Sequence, residues 1–188
     1  MVSCGTCYDQ LQGYRFEEIF PGCRIIDIHE YLMEKNVRLQ SVTGTRYMYH
    51  DPCHSPMKTY DALAVVNSLM NDAQNGHIEK NERCCGESGT LALTRPDIST
   101  QVRFRKEQEV RAGAEKLRAT APNAAGAVPV KVLTSCPSCL QGLKRFQEDA
   151  DLDADYIVVE IARHILGVNW MAEYVARANA GGIERVLV

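Results

Sequence analysis

The chain has 188 residues, a formal net charge of −3, 45% hydrophobic residues and 24% charged residues. That is enough for one sizeable domain or two small ones, with the composition of an ordinary globular protein. A pI near 6.0 leaves no basic footprint for nucleic acid, so no nucleic-acid partner is expected.

No apolar run is long enough to span a bilayer. Met1-Val2-Ser3-Cys4 lacks the basic and apolar regions of a signal peptide, so a cytoplasmic location is expected.

In chain order, Arg24-Ile25-Ile26-Asp27-Ile28 is short and β-branched and predicts a strand, as does Tyr47-Met48-Tyr49. Leu63, Val66, Met70 and Ala73 recur at helical spacing and predict a helix over about 60–74. Thr94, Pro96 and Asp97 form the start signal of a long charged helix ending near Arg118. Within it, Arg103 to Lys106, followed by Glu107 and Glu109, mixes both signs and predicts a solvated face. Residues 119–129 are rich in Ala, Pro and Gly without periodicity and predict a surface loop. Lys131-Val132-Leu133 predicts a strand, a helix is expected after Cys139, Tyr156-Ile157-Val158-Val159 predicts another strand, and a last helix pair covers about 160–179. Alternating strands and helices predict an α/β fold: a parallel sheet flanked by helices, with cysteines on loops at strand ends.

An internal repeat stands out. Val2-Ser3-Cys4-Gly5-Thr6-Cys7, with Leu11 following, matches Thr134-Ser135-Cys136-Pro137-Ser138-Cys139, with Leu143 following. The cysteines are offset by 132 residues, and Asp27 stands 133 residues before Glu160. Two units of that length do not fit in the chain. Residues 1–40 are therefore expected to be the C-terminal part of one repeat and 41–188 a complete second one, in a fragment of a longer protein.

Eight cysteines in a chain without an export signal point to metal or redox chemistry rather than disulfides. A CxxC sets two thiolates on one turn, a common metal grip. Neighbouring side chains diverge, so the adjacent pair Cys84-Cys85 suits a larger inorganic core better than one small tetrahedron. With Cys53, Cys136 and Cys139, five thiols also exceed the four that a zinc ion uses.

His50-Asp51-Pro52-Cys53-His54, Cys84-Cys85-Gly86 and Ser135-Cys136-Pro137-Ser138-Cys139 together resemble the cysteine-rich CCG domain. That domain is found twice in the B subunit of heterodisulfide reductase and also in the iron–sulfur subunits of glycolate oxidase, lactate-utilisation and anaerobic glycerol-3-phosphate dehydrogenase complexes. The resemblance implies that Cys53, Cys84, Cys85, Cys136 and Cys139 hold an iron–sulfur cluster of the non-cubane 4Fe–4S type. It implies further that Cys4 and Cys7 close the site of a first repeat. The interval from Cys85 to Cys136 is longer than the family usually shows, and the 119–129 loop absorbs the excess. Some members of the family hold zinc instead.

The implied function is electron relay inside a flavin-dependent oxidoreductase acting on a small hydroxy acid such as lactate or glycolate. FAD would lie on another domain or subunit, and a further electron acceptor would complete the chain. The module would then not be a complete enzyme alone. The alternatives are direct thiol or disulfide reduction at the cluster, and a zinc-stapled structural or interaction domain.

His50 and His54 flank Cys53 as secondary ligand candidates, against the plainer reading of one satisfied strand-end residue and one surface residue. His29 and His164 are expected to pack, His77 to lie in a solvated loop, and Cys23 to be a small buried hydrophobe. Gly86-Glu87-Ser88-Gly89 is expected to form a tight turn, whose amides suit donation to sulfur.

Overall fold

The computed structural model describes residues 1–39, 44–70, 78–87, 91–120 and 128–181. His77, Ser88 and Gly89, the middle of the 119–129 loop, the far end of the helix expected at 60–74 and the expected boundary at 40–41 lie outside the described residues.

The elements in chain order are α1 (Gly5–Gln12), α2 (Phe16–Ile19), α3 (Ile28–Glu34), β1 (Arg46–His50), α4 (Ala62–Leu69), β2 (Glu79–Asn81) and α5 (Leu91–Thr94). They continue with α6 (Pro96–Ala119), β3 (Val130–Thr134), α7 (Pro137–Lys144), β4 (Asp153–Tyr156), α8 (Ile157–Leu166) and α9 (Trp170–Asn179). The four strands form one sheet in the order β2-β1-β3-β4. Every pairing is parallel, with Met48 opposite Glu79, His50 opposite both Asn81 and Thr134, and Thr134 opposite Tyr156.

Side chains alternate across this sheet and divide the core. Tyr47, Tyr49 and Leu133 face a cluster with Val65, Val66 and Leu69 of α4 and Ile157 and Ile161 of α8. Met48, Val130, Val132 and Ala154 face the opposite cluster, built on Val110 and Ala114 of α6 and Leu143 of α7. The central strand β3 is buried at every position, as expected of a parallel strand covered on both faces.

The α/β fold and parallel sheet are therefore as expected, but two strands are not. Ile157-Val158-Val159 is the start of α8, and β4 is the polar stretch before it. Ile157, Glu160 and Ile161 are the buried positions, a helical spacing that overrides the weak strand preference of β-branched residues. Residues 24–26 join no strand, and only Asp27 makes an isolated parallel bridge, to Val2. The Asp27 carboxylate then caps α3, accepting from the amides of His29 at 2.8 Å and Glu30 at 3.4 Å.

In the matched segments, Cys4 and Cys136 occupy the same local position, each the extended N-cap residue of an eight-residue helix. The matched acids do not. Asp27 is itself the cap of α3, whereas Glu160 stands in the first turn of α8 behind the cap Tyr156.

Candidate metal centre

Parallel strands point their carboxyl ends the same way, and ligand sites in such sheets lie outside that edge. Here β1 leads to Cys53, β2 to Cys84 and Cys85, and β3 to Cys136, with Cys139 in the first turn of α7. The sulfurs of Cys85 and Cys139 are 3.3 Å apart and both residues are buried. His50, at the end of β1, joins them: its ring nitrogen and the two sulfurs all lie within 4.8 Å of one another. Among the described residues this is the one group of three or more potential ligands so close together.

The other thiols interact electrostatically with this group. Cys136 is hydrogen-bonded to Cys139, and Cys84 to Cys85, while Cys53 is near enough to Cys84 for its charge to act there. Cys53 is exposed and Cys84 and Cys136 are half-buried, so the site opens outward from Cys85 and Cys139.

The electrostatics follow from these contacts. The hydrogen bond from Cys139 holds the Cys85 thiol down to about 4, against the opposing effect of burial, with help from His50 and the Glu87 amide. Cys136 is pushed down to about 6 by its hydrogen bond with Cys139 and by the Cys139 and Ser138 amides at the start of α7. Cys139 is driven far up by its hydrogen bonds with Cys136 and Cys85 and by burial. Burial raises the Cys84 thiol, partly offset by the Gly86 amide 3.4 Å from its sulfur.

Two glycines permit this approach. Gly86 takes φ +79°, a left-handed turn that aims its amide back at Cys84. A Cβ on Gly142 would stand 2.6 Å from Glu87 Cγ and 3.1 Å from the Cys85 carbonyl oxygen, so a side chain here would force α7 off the Cys84-Cys85 turn.

The remaining candidates lie apart from the triad. His54 is exposed and turns to Asp9 of α1, which Lys58 also approaches at 3.7 Å. Cys4 and Cys7 are hydrogen-bonded to each other, and no third ligand joins them among the described residues. Burial and the nearby Cys136, Cys4 and Cys139 thiols raise the Tyr156 hydroxyl, which puts Cys4 on the Tyr156 side of the site. His29 is buried on Asp27 at 2.9 Å and His164 approaches Glu160 at 3.4 Å, both as packing residues. Cys23 is exposed, contrary to its expected burial, because the turn before it leaves residues 20–24 on the surface.

The largest correction concerns α6. Lys106, expected on a solvated face, is fully buried, donating to the Asn81 carboxamide oxygen and, at 2.8 Å, to Glu109. Glu109 in turn accepts from the Glu82 and Arg83 amides at 3.3 Å each, immediately before the paired cysteines. Sequence reasoning missed Asn81, Lys106 and Glu109. Only the (i, i+3) spacing of Lys106 and Glu109 was visible in the sequence.

This donor set suits a thiophilic metal or cluster. Soft thiolates are already favoured over thiols at two positions. Backbone amides point at sulfur, and the buried His50 Nε2 has no hydrogen-bond partner. An α/β scaffold thus carries, at the carboxyl edge of a parallel sheet, a cysteine and histidine group that could hold a metal.

The comparisons point the same way. The chain is 27% identical over 84% of its length to an uncharacterised iron–sulfur protein of Methanocaldococcus jannaschii, covering 30% of that protein. It is 26% identical over 64% of its length to the B subunit of the CoM/CoB fumarate reductase of Methanothermobacter marburgensis, covering 22% of it. To the iron–sulfur subunit of Escherichia coli glycolate oxidase it is 28% identical over 51% of its length, covering 24% of that protein. The chain thus spans less than a third of each of these relatives. Residues 144–188 match a family described as a domain of unknown function, DUF3400. No solved structure matches. Among the described residues no helix is long and apolar enough to cross a membrane.

Proposed function

We propose that this chain is an electron-transfer module holding an iron–sulfur centre on Cys53, Cys84, Cys85, Cys136 and Cys139. The carrying observation is the sulfur contact of Cys85 and Cys139, which follow β2 and β3, with a ring nitrogen of His50 at the end of β1 within 4.8 Å of both. When bound, the cluster supplies one-electron chemistry, with a potential set by its ligands and surroundings. The chain's own residues supply the rest. Cys85 and Cys136 present thiolate at neutral pH. The Gly86 and Glu87 amides donate to Cys84 and Cys85, which stabilises negative charge on sulfur. Cys85 and Cys139 keep water from the inner side, while Cys53 gives an exposed edge for electron exchange.

Within this reading, a flavin-containing dehydrogenase domain or subunit delivers electrons from a small hydroxy acid, and a further carrier accepts them. The similarity to a glycolate oxidase iron–sulfur subunit supports that substrate class. We read residues 1–40 as the C-terminal part of a first cysteine-rich unit and 41–188 as a second. The shared cap positions of Cys4 and Cys136 support this division, as does the small share of each relative that the chain spans. A second reading, a zinc staple, draws on the compact His50, Cys85 and Cys139 group, since imidazole with thiolates is a common zinc set.

Iron and acid-labile sulfide assays, with a visible spectrum on anaerobically prepared protein, decide between them. Several irons with sulfide and a coloured product are expected, with iron content falling sharply in Cys85→Ser. Colourless protein with one zinc per chain sinks the electron-transfer reading.

A further inference from the structure

Three buried side chains behind the thiols form a connected line. Lys106 of α6 is fully buried, and its ammonium meets the Asn81 carboxamide oxygen at the end of β2. The same oxygen lies 3.2 Å from His50 Nδ1 at the end of β1. A lysine ammonium can only donate, so the Asn81 atom facing it is the oxygen and not the amide nitrogen. That oxygen can only accept, so the His50 Nδ1 beside it carries a proton. Nε2 is then the nitrogen left to face the thiols. It is buried and lacks a hydrogen-bond partner, on a ring that has a nitrogen within 4.8 Å of the Cys85 and Cys139 sulfurs.

We propose that Asn81, backed by Lys106, fixes the His50 ring so that Nε2 is a nitrogen ligand to the same metal centre that Cys85 and Cys139 bind. This rests on the metal-centre reading above and adds a non-thiol ligand with its positioning residues. An oriented imidazole whose other nitrogen donates to a fixed acceptor is the usual arrangement behind metal-bound histidine. The backing is itself held. Lys106 is paired with Glu109, which accepts from the Glu82 and Arg83 amides, so a single brace orients the histidine and the turn bearing Cys84 and Cys85. The oxygen acceptor of Asn81 is what the mechanism needs, so aspartate can replace it and leucine cannot.

The test uses the full chain, ¹⁵N-labelled, reduced and handled anaerobically. Long-range ¹H–¹⁵N spectra are recorded before and after adding Zn²⁺, and pulsed EPR is recorded on protein reconstituted with iron and sulfide. His50 is expected to keep its Nδ1 proton throughout, and Zn²⁺ is expected to move Nε2 to the shift of a metal-bound nitrogen. The reduced iron-loaded protein is expected to show a histidine-nitrogen coupling that His50→Ala abolishes. Asn81→Leu is expected to weaken Zn²⁺ binding by about 10–100-fold and release the ring from its tautomer, whereas Asn81→Asp retains both properties.

Metal bound with an unmoved Nε2 and no nitrogen coupling overturns the ligand assignment and leaves the thiol centre standing. A bare Nδ1 in the wild type, or Asn81→Leu binding like wild type, overturns the positioning role. Zn²⁺ bound through Nε2 while iron and sulfide are not retained leaves this inference intact and sinks the electron-transfer function. If neither metal binds, both fall. Should Asn81→Leu not fold, the wild-type spectra and Asn81→Asp still decide.

Discussion

Cys85 and Cys139 stand 54 positions apart in the chain, yet their sulfurs are 3.3 Å from each other in the fold. The contact joins the turn after β2 to the first turn of α7, which follows β3, with β1 lying between those two strands in the sheet. It places a thiolate beside a thiol, a pair primed for metal binding or, without metal, for oxidation.

Metal-free protein exposed to air should therefore crosslink Cys85 to Cys139 in preference to other pairs. Peptide mapping by mass spectrometry under non-reducing conditions checks this. Crosslinks confined to Cys4 and Cys7 would show that the two inner sulfurs do not meet in solution.

Cys136 is half-buried and its thiol is pushed down to about 6. Its alkylation in reduced, metal-free protein should be half-maximal near pH 6, flat above it and falling tenfold per unit below, because only the thiolate reacts. An ordinary thiol would still be gaining rate at pH about 8.5. Cys139→Ala removes the main hydrogen bond lowering the Cys136 value and should move the midpoint upward. A midpoint that stays near 6 would assign the depression to the α7 amides alone.

Glu109→Ala strips the charged one of two acceptors from buried Lys106 and the acceptor of the Glu82 and Arg83 amides. Breaking a buried pair costs about 3–5 kcal/mol, and Glu109 is partly exposed, so a loss of about 2–3 kcal/mol is expected in urea unfolding. Glu109→Gln keeps an acceptor oxygen and should recover part of it. An unchanged unfolding midpoint would mean that Lys106 finds water instead.

Gly142→Ala would set a Cβ 2.6 Å from Glu87 Cγ and 3.1 Å from the Cys85 carbonyl oxygen. Overpacking of this kind costs about 1–3 kcal/mol, and α7 must retreat from the paired cysteines. Thermal unfolding should shift down and bound metal per chain should fall together. Lost stability with full metal content would separate the packing from the site.

Much of the architecture was legible in the residues. Strands at 47–49 and 131–133, the long helix opened by Pro96 and the parallel α/β arrangement follow from period, caps and alternation. Other parts were not legible. The run Ile157-Val158-Val159 has the composition of a strand, and only its packing, with Ile157 and Ile161 turned to one cluster, makes it helix. The first-half strand reduces to a single bridge, since Asp27 is drawn instead to cap a helix.

By itself, the sequence determined which residue types are available: paired thiols, a CxxC and a strand-end histidine are chemistry that needs no coordinates to recognise. Their meeting is another matter, because it depends on the ends of β1, β2 and β3 opening at one edge of a sheet, two bringing sulfur and one the histidine. The reversal at Lys106 shows the reason most clearly. A charged residue in a mixed-sign helix has the pattern of a surface, but burial is set by what lies opposite. Here Asn81 and Glu109 make a dry position habitable for an ammonium. Local pattern encodes propensity, whereas partners distant in the chain decide dielectric, tautomer and charge, and those exist only once the chain has folded.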